Sequence, residues 1–268
     1  RMRAVLRYAT RFMIVVLTYY IVVRAYARSN LPRILVVTTM KDRIGYVQLL
    51  ARSFEFLRIY DTADVHIFDD GSSMFNASDL KRWFPRASIS EIQHSQADRS
   101  ARNAFEYFMQ NSSHDVIVSL DSDGLLHPSW ASFIYSTLPT SDGVLSLYNS
   151  ALHPNLSCNQ KTCLKASTGA LGMVFARKII TQLLLDPIVS NADLFDWALV
   201  HKLGELGIKF VVSRDSLILH YGMYGAHGTG EHPDRENSFD LHAYPPQLTK
   251  NVVAFLRGKN PEAPLRDI

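Results

Sequence analysis

The sequence predicts an α/β domain: a mostly parallel central sheet flanked by helices. Three observations predict it. From residue 33 onward, short β-branched runs alternate with segments of helix length. The runs are almost continuously apolar, as strands buried on both faces are. Several of them end on polar or acidic residues, where ligands bind in such sheets. A length of 268 residues suits one large domain.

Arg33–Thr39 contains no Gly or Pro and reads as the first buried strand. Gly45–Tyr60 follows with Val47, Leu50, Phe54 and Leu57 at helical spacing. Asp64–Phe68 is the second strand and runs into the turn Asp69-Asp70-Gly71-Ser72. A short helix over Ser78–Phe84, a strand over Ala87–Ile92, a helix over Ser100–Met109 and a strand over His114–Leu120 come next. Further strands are expected at Gly143–Tyr148 and Leu171–Ala176, with a polar loop between them. Leu194–Leu206 reads as a helix stopped by Gly207. Ile208–Val212 and Ser216–His220 are short strands, and Tyr221–Pro246, rich in Gly, His and Pro, is a long loop.

The first 28 residues stand apart. They carry Arg1, Arg3, Arg7, Arg11, Arg24 and Arg28 without an acid, and so account for the formal net charge of +3. The remainder is close to neutral, which argues against a nucleic-acid partner. Phe12–Val23 is apolar, but as a helix it rises only about 18 Å, less than the roughly 30 Å of a bilayer core. It spans a membrane only if the flanking arginines snorkel to both interfaces. Alternatively it lies in the interface, with Arg3, Arg7, Arg11, Arg24 and Arg28 on one side and Val5, Tyr8, Phe12, Val16, Tyr19 and Val23 on the other. Residues 1–30 are thus expected to be a membrane anchor or interfacial helix, and residues 31–268 the main domain. Cys158 and Cys163 fit either a local disulfide in an oxidising lumen or two free thiols. Acceptor triplets at Asn76, Asn111 and Asn155 fit a secretory location.

Asp121-Ser122-Asp123 follows the apolar run Val116–Leu120. Two hard carboxylates, two residues apart at the end of a rigid strand, can anchor a divalent cation that bridges two phosphates. In their order along the chain, seven short motifs resemble the GT-A-fold, family-2-like glycosyltransferases. They are Thr38-Thr39 with Arg43 shortly after; Asp69-Asp70-Gly71-Ser72; Ala101-Arg102-Asn103, with Arg99 one turn earlier; Asp121-Ser122-Asp123; Gly169–Arg177; Phe195-Asp196-Trp197; and His220 at a late strand end. The family has Glu where Phe195 stands.

The resemblance implies inverting transfer of a sugar from a nucleoside-diphosphate sugar, with a uridine diphosphate sugar foremost. The acceptor would be a hydroxyl of a glycan, glycolipid or glycoprotein. Thr38, Thr39, Arg43, Asp70, Arg99, Arg102 and Ser122 would bind the donor nucleotide. Asp121, Asp123 and His220 would hold Mn2+ or Mg2+, and Asp196 would be the general base. Asp193, three residues before Asp196, is the rival base, and His227 and His232 are alternatives to His220. Gly222–Gly230 would be a lid over the donor. Two other readings compete: a catalytically silent, membrane-tethered sugar- or nucleotide-binding protein on the same fold, and a nucleotidylyltransferase. The latter normally has a Gly-rich phosphate cradle after its first strand, and none precedes Gly45 here. The expected location is a membrane, as a Golgi-type single-pass type II protein or a peripheral one.

Overall fold

A computed structural model of the chain describes residues 31–92, 97–222 and 238–265, together with 13, 14 and 16; the side chains of residues 97–101 are not described. The expected helix over residues 1–30 lies outside these apart from Met13, Ile14 and Val16, which are helical. Among the described residues no helix is long and apolar enough to cross a membrane. The chain divides into a unit of Arg1–Pro32 and a unit of Arg33–Ile268. All that follows concerns the second.

Its centre is β1 (Ile34–Met40), which pairs in parallel with β2 (Ala63–Asp69) on one side and β4 (Val116–Asp121) on the other. β3 (Ser88–Glu91) extends the parallel array beyond β2. β1 is apolar almost throughout because both of its faces are covered. Ile34, Val36 and Met40 pack with Val47, Leu50 and Phe54 of α1 (Ile44–Leu57) and with Leu80 of α2 (Ala77–Trp83). Leu35 and Val37 face Phe105 and Phe108 of α3 (Ala97–Asn111). α2 starts where Asn76 and Asp79 form a reciprocal capping box.

Beyond β4 the pairing changes, which corrects the expectation of a mostly parallel sheet. β9 (Met173–Ala176) runs antiparallel to both β4 and β6 (Val144–Ser146). The chain between β6 and β9 contains a hairpin rather than a crossover helix, so it returns in the opposite direction. β10 (Phe210–Ser213) is parallel to β6 and antiparallel to β8 (Thr162–Lys165), which pairs with the edge strand β7 (Asn155–Cys158). The order of the main sheet is β3-β2-β1-β4-β9-β6-β10-β8-β7. Its described pairings divide equally between parallel and antiparallel. Cys158 and Cys163, opposite one another in the hairpin, form a disulfide.

A second, two-stranded sheet pairs β5 (Gly124–Leu126) with β11 (Ile218–His220). α4 (Trp130–Thr137) packs on the α1 side of the main sheet. The other side carries α5 (Arg177–Leu184), the short α6 (Pro187–Ser190) and α7 (Phe195–Glu205). The long loop expected over Tyr221–Pro246 lies mostly outside the described residues. It is followed by α8 (Pro246–Leu256), whose Leu248, Val252 and Phe255 pack with Tyr46 of α1 and with Tyr221.

Candidate active site

The carboxyl ends of β1, β2 and β4 lie side by side, because Met40 is in register with Asp69 and Thr39 with Asp121. At the end of β1 the backbone turns through two left-handed residues, Asp42 at φ 50° and Arg43 at φ 53°. Neither is glycine, and such conformations cost about 1–3 kcal/mol each unless the surroundings fix them. The surroundings do. Asp42 Oδ1 accepts from the Ser73 and Met74 backbone N–H groups at 2.7 and 3.1 Å and from Ser73 Oγ at 3.1 Å. The Asp42 N–H donates to Ser72 Oγ at 3.0 Å. The loop after β1 is thereby stitched to the Asp-Asp-Gly-Ser turn after β2. Burial opposes ionisation of Asp42, but these backbone donors outweigh it and keep its carboxyl below the usual range.

Arg43 is the product of that turn. Its Nη1 donates to Asp123 Oδ2 at 2.8 Å and its Nη2 to Ser122 Oγ at 3.0 Å, and its guanidinium lies over the Tyr46 ring. From the other side, β11 pairs His220 with Gly124, which brings His220 Nε2 to 3.7 Å from Asp123 Oδ1. Tyr221 closes the back. Its N–H donates to the Asp123 carbonyl at 3.1 Å, and its hydroxyl donates to the Ser122 carbonyl at 3.0 Å.

The two carboxylates of the Asp121–Asp123 pair are not equivalent. Burial works against the charge of Asp123, yet Arg43 and His220 overcome it and hold this carboxyl well below the usual range. Asp121 is pushed up to about 6 by burial and by the negative charge of Asp123, with Asp196 adding to the effect and His220 and Arg43 opposing it. Asp196, in the first turn of α7, therefore shares an electrostatic environment with Asp121. It also accepts from the Trp197 N–H at 2.8 Å. Phe195, where the resembled family has Glu, is fully buried and packs against Phe105 at 5.5 Å, anchoring α7 to α3.

The structure thus brings Arg43, Ser122, Asp123 and His220 together, with Asp121 two residues away at the end of β4 and Asp196 within electrostatic reach of Asp121. Asp70 is buried at the end of β2, its N–H donating to the Met40 carbonyl at 2.8 Å. Thr39 lies beside Asp121 in register, whereas Thr38 is fully buried in the body of β1. Arg102 is engaged elsewhere: its Nη1 donates to the Ser190 carbonyl at 2.7 Å, bracing α6 ahead of α7. Arg99 belongs to α3, but its side chain lies outside the described residues, as do His227, His232 and all of the expected lid except Gly222. Asp193, the rival base, does not share a helix face with Asp196. α7 begins at Phe195, so Asp193 precedes it, exposed in a bend.

Two positions that shape the candidate site carry little signal in the sequence. Asp42 has only its place before a turn. Gly222, the first residue of the expected lid, sits so close to Asp123 that a Cβ there would overlap the carboxylate.

Among the described residues no three ligating side chains converge into a preformed metal cage. The donor set still fits a hard divalent cation, since Mg2+-type sites commonly use one or two carboxylates and leave the remaining positions to water and substrate phosphate.

No protein-family profile and no curated protein matches the sequence. Solved structures do match. S. aureus TarS, as its 1–349 fragment, is similar to this chain at 10% identity with a TM-score of 0.51, over 69% of this chain and 59% of that one. The chain thus spans less than two thirds of that structure's length. The mannosyltransferase PcManGT from Pyrobaculum calidifontis, in complex with GDP-Man and Mn2+, is 14% identical with a TM-score of 0.46, over 74% of this chain and 63% of that one. The protein shares the α/β fold of the TarS fragment, with a large mixed central sheet and flanking helices.

Proposed function

We propose that the chain is an inverting, metal-dependent glycosyltransferase, with a uridine diphosphate sugar as the expected donor and a hydroxyl of a glycan, glycolipid or glycoprotein as acceptor. One observation carries this reading: beside the carboxyl ends of the parallel strands Asp123 is paired with Arg43 and faced by His220, two residues from Asp121.

Asp121 and Asp123, with His220 beside them, would hold Mn2+ or Mg2+. When bound, that cation supplies charge neutralisation for the departing diphosphate. The protein's own groups do the rest. Asp70 accepts hydrogen bonds from the ribose or base, and Arg43 offers its guanidinium to the phosphates. Asp196 takes the proton of the acceptor hydroxyl as that oxygen attacks the anomeric carbon and the nucleoside diphosphate leaves from the opposite face. A single displacement inverts the anomeric configuration. The leading segment would keep the enzyme at a membrane, spanning it or lying on it.

A second reading is favoured by Arg43, which already gives Asp123 a cationic partner. In that case the site binds a nucleotide sugar without turning it over. Calorimetric titration with a panel of nucleotide sugars, with and without Mn2+, tests the donor site. Tighter binding of one donor class in Mn2+ is expected, and no binding under either condition would remove both readings. Release of free nucleoside diphosphate then separates the enzyme from the silent binder.

A further inference from the structure

At the far edge of the main sheet, all four residues of β7 are exposed. They are the acceptor triplet Asn155-Leu156-Ser157 and then Cys158, which is bonded to Cys163. Such a bond persists in oxidising compartments, which are also where asparagine triplets of this kind are modified. The three triplets of the chain are not equally available. Asn76 is built into a helix start, its Oδ1 accepting from the Ser78 and Asp79 N–H groups at 2.9 and 3.1 Å. In Asn111-Ser112-Ser113 both hydroxyls belong to the fold. Ser112 Oγ donates to the Phe108 carbonyl at 2.9 Å and accepts from Arg177 at 2.9 Å, while Ser113 Oγ accepts from Arg33 Nη2 at 2.8 Å. The side chains of Asn155 and Ser157 make no hydrogen bond among the described residues. The edge is also open: Leu152 and Leu156 are 71% and 57% exposed, and an unpaired strand edge of this kind is one that proteins usually shield.

We propose that Asn155 is a site of N-linked glycosylation. The Asn155 side-chain nitrogen bonds to C1 of an oligosaccharide carried on a lipid diphosphate. The C1–oxygen bond breaks, the lipid diphosphate leaves, and the amide gives up one proton. Ser157 supplies the hydroxyl by which the triplet is recognised. Asn155 and Asp121 belong to the same unit, so a glycan at Asn155 also fixes the side of the membrane on which the candidate active site works. None of this requires the proposed transfer reaction.

The test is expression of the full chain in a eukaryotic cell, followed by peptide-N-glycosidase F digestion in heavy-oxygen water and peptide mass mapping. Position 155 is expected to carry the isotopic aspartate label. The gel shift should correspond to one glycan, lost in Asn155→Gln and Ser157→Ala and kept in Ser157→Thr. Recovery of position 155 as unlabelled asparagine overturns the proposal, whether or not the Cys158–Cys163 bond has formed. Label confined to Asn76 or Asn111 overturns it equally.

Discussion

The two halves of the main sheet are tied together differently. From β3 to β4 the strands are parallel, and their carboxyl ends share one rim. Beyond β4 antiparallel partners interleave with a single parallel pair, and the sheet ends in a hairpin closed by a disulfide. The candidate site gathers on the parallel half because parallel strands present all their carboxyl ends at once, whereas antiparallel neighbours alternate. The far half supports the site from behind: β9 covers β4, and the edge hairpin is held by a local covalent bond.

Substitutions at the rim should therefore act on activity and those at the far edge on stability. The largest effect belongs to Asp123→Ala. Transfer should fall about a thousandfold or more, since charge neutralisation of the leaving group is worth several kcal/mol. The melting temperature should hold within a few degrees. A variant that unfolds instead would turn this carboxylate from a ligand into a structural partner of Arg43.

Asp196→Asn comes next. Loss of the base should lower transfer by roughly two to four orders of magnitude while donor affinity is kept. Asp193→Asn, on the exposed bend before α7, should change the rate less than about twofold on the same scale. Reversal of the two outcomes in steady-state kinetics would move the base upstream.

Gly222→Ala tests whether the rim is shaped by what packs behind it. The added methyl overlaps the Asp123 carboxylate, so transfer should drop on the order of 10–100-fold with the circular-dichroism spectrum unchanged. Wild-type kinetics would show that the carboxylate does not need its present position.

On the far half, replacing both Cys158 and Cys163 with Ser should lower stability by about 2 kcal/mol, the loop-closure value for so short a ring. Transfer should stay within about twofold. Urea midpoints and initial rates on the same preparation check both parts.

The smallest effect lies inside the parallel half, away from the rim. His66 is buried between Phe68 and Tyr107, and burial lowers its pKa to about 4. Its folded pKa is below its unfolded value, so its contribution to stability is complete above about pH 6.5 and is lost as the pH falls toward 4. Between pH 7 and 5.5 this should cost about 1 kcal/mol, and His66→Phe should flatten that part of the urea-midpoint profile. An unchanged slope in the variant would assign the acid sensitivity to other groups.

The same contrast governs what could be read from the sequence. β1, β2 and β4 were legible because burial on both faces leaves a continuous apolar run, and each run stops at acids or threonines of the candidate site. β7 carries the polar, exposed segment Asn-Leu-Ser-Cys, which has no apolar pattern to betray a strand. β5 is three residues long and exists only as the partner of β11, the strand expected over Ser216–His220. α8 did leave a signal, Pro246 at its first turn and then Leu248, Val252 and Phe255 at helical spacing. At the candidate site, motif order singles out Arg43, Asp70, Asp121, Asp123 and Asp196. The clamp of Asp42 on Ser73 and the close approach of Gly222 to Asp123 were not, because both depend on segments distant in the chain meeting in space.

The central claim, that the paired carboxylates of the rim work through a divalent cation in sugar transfer, is tested most directly by one assay. The purified chain is given its best-bound nucleotide sugar and an acceptor, then excess chelator, then Mn2+ in excess of the chelator. Transfer should stop on chelation and return with the metal in the wild type, and should not return in Asp121→Ala or Asp123→Ala. Transfer at full rate in excess chelator would contradict the claim and leave Arg43 as the cation that serves the diphosphate.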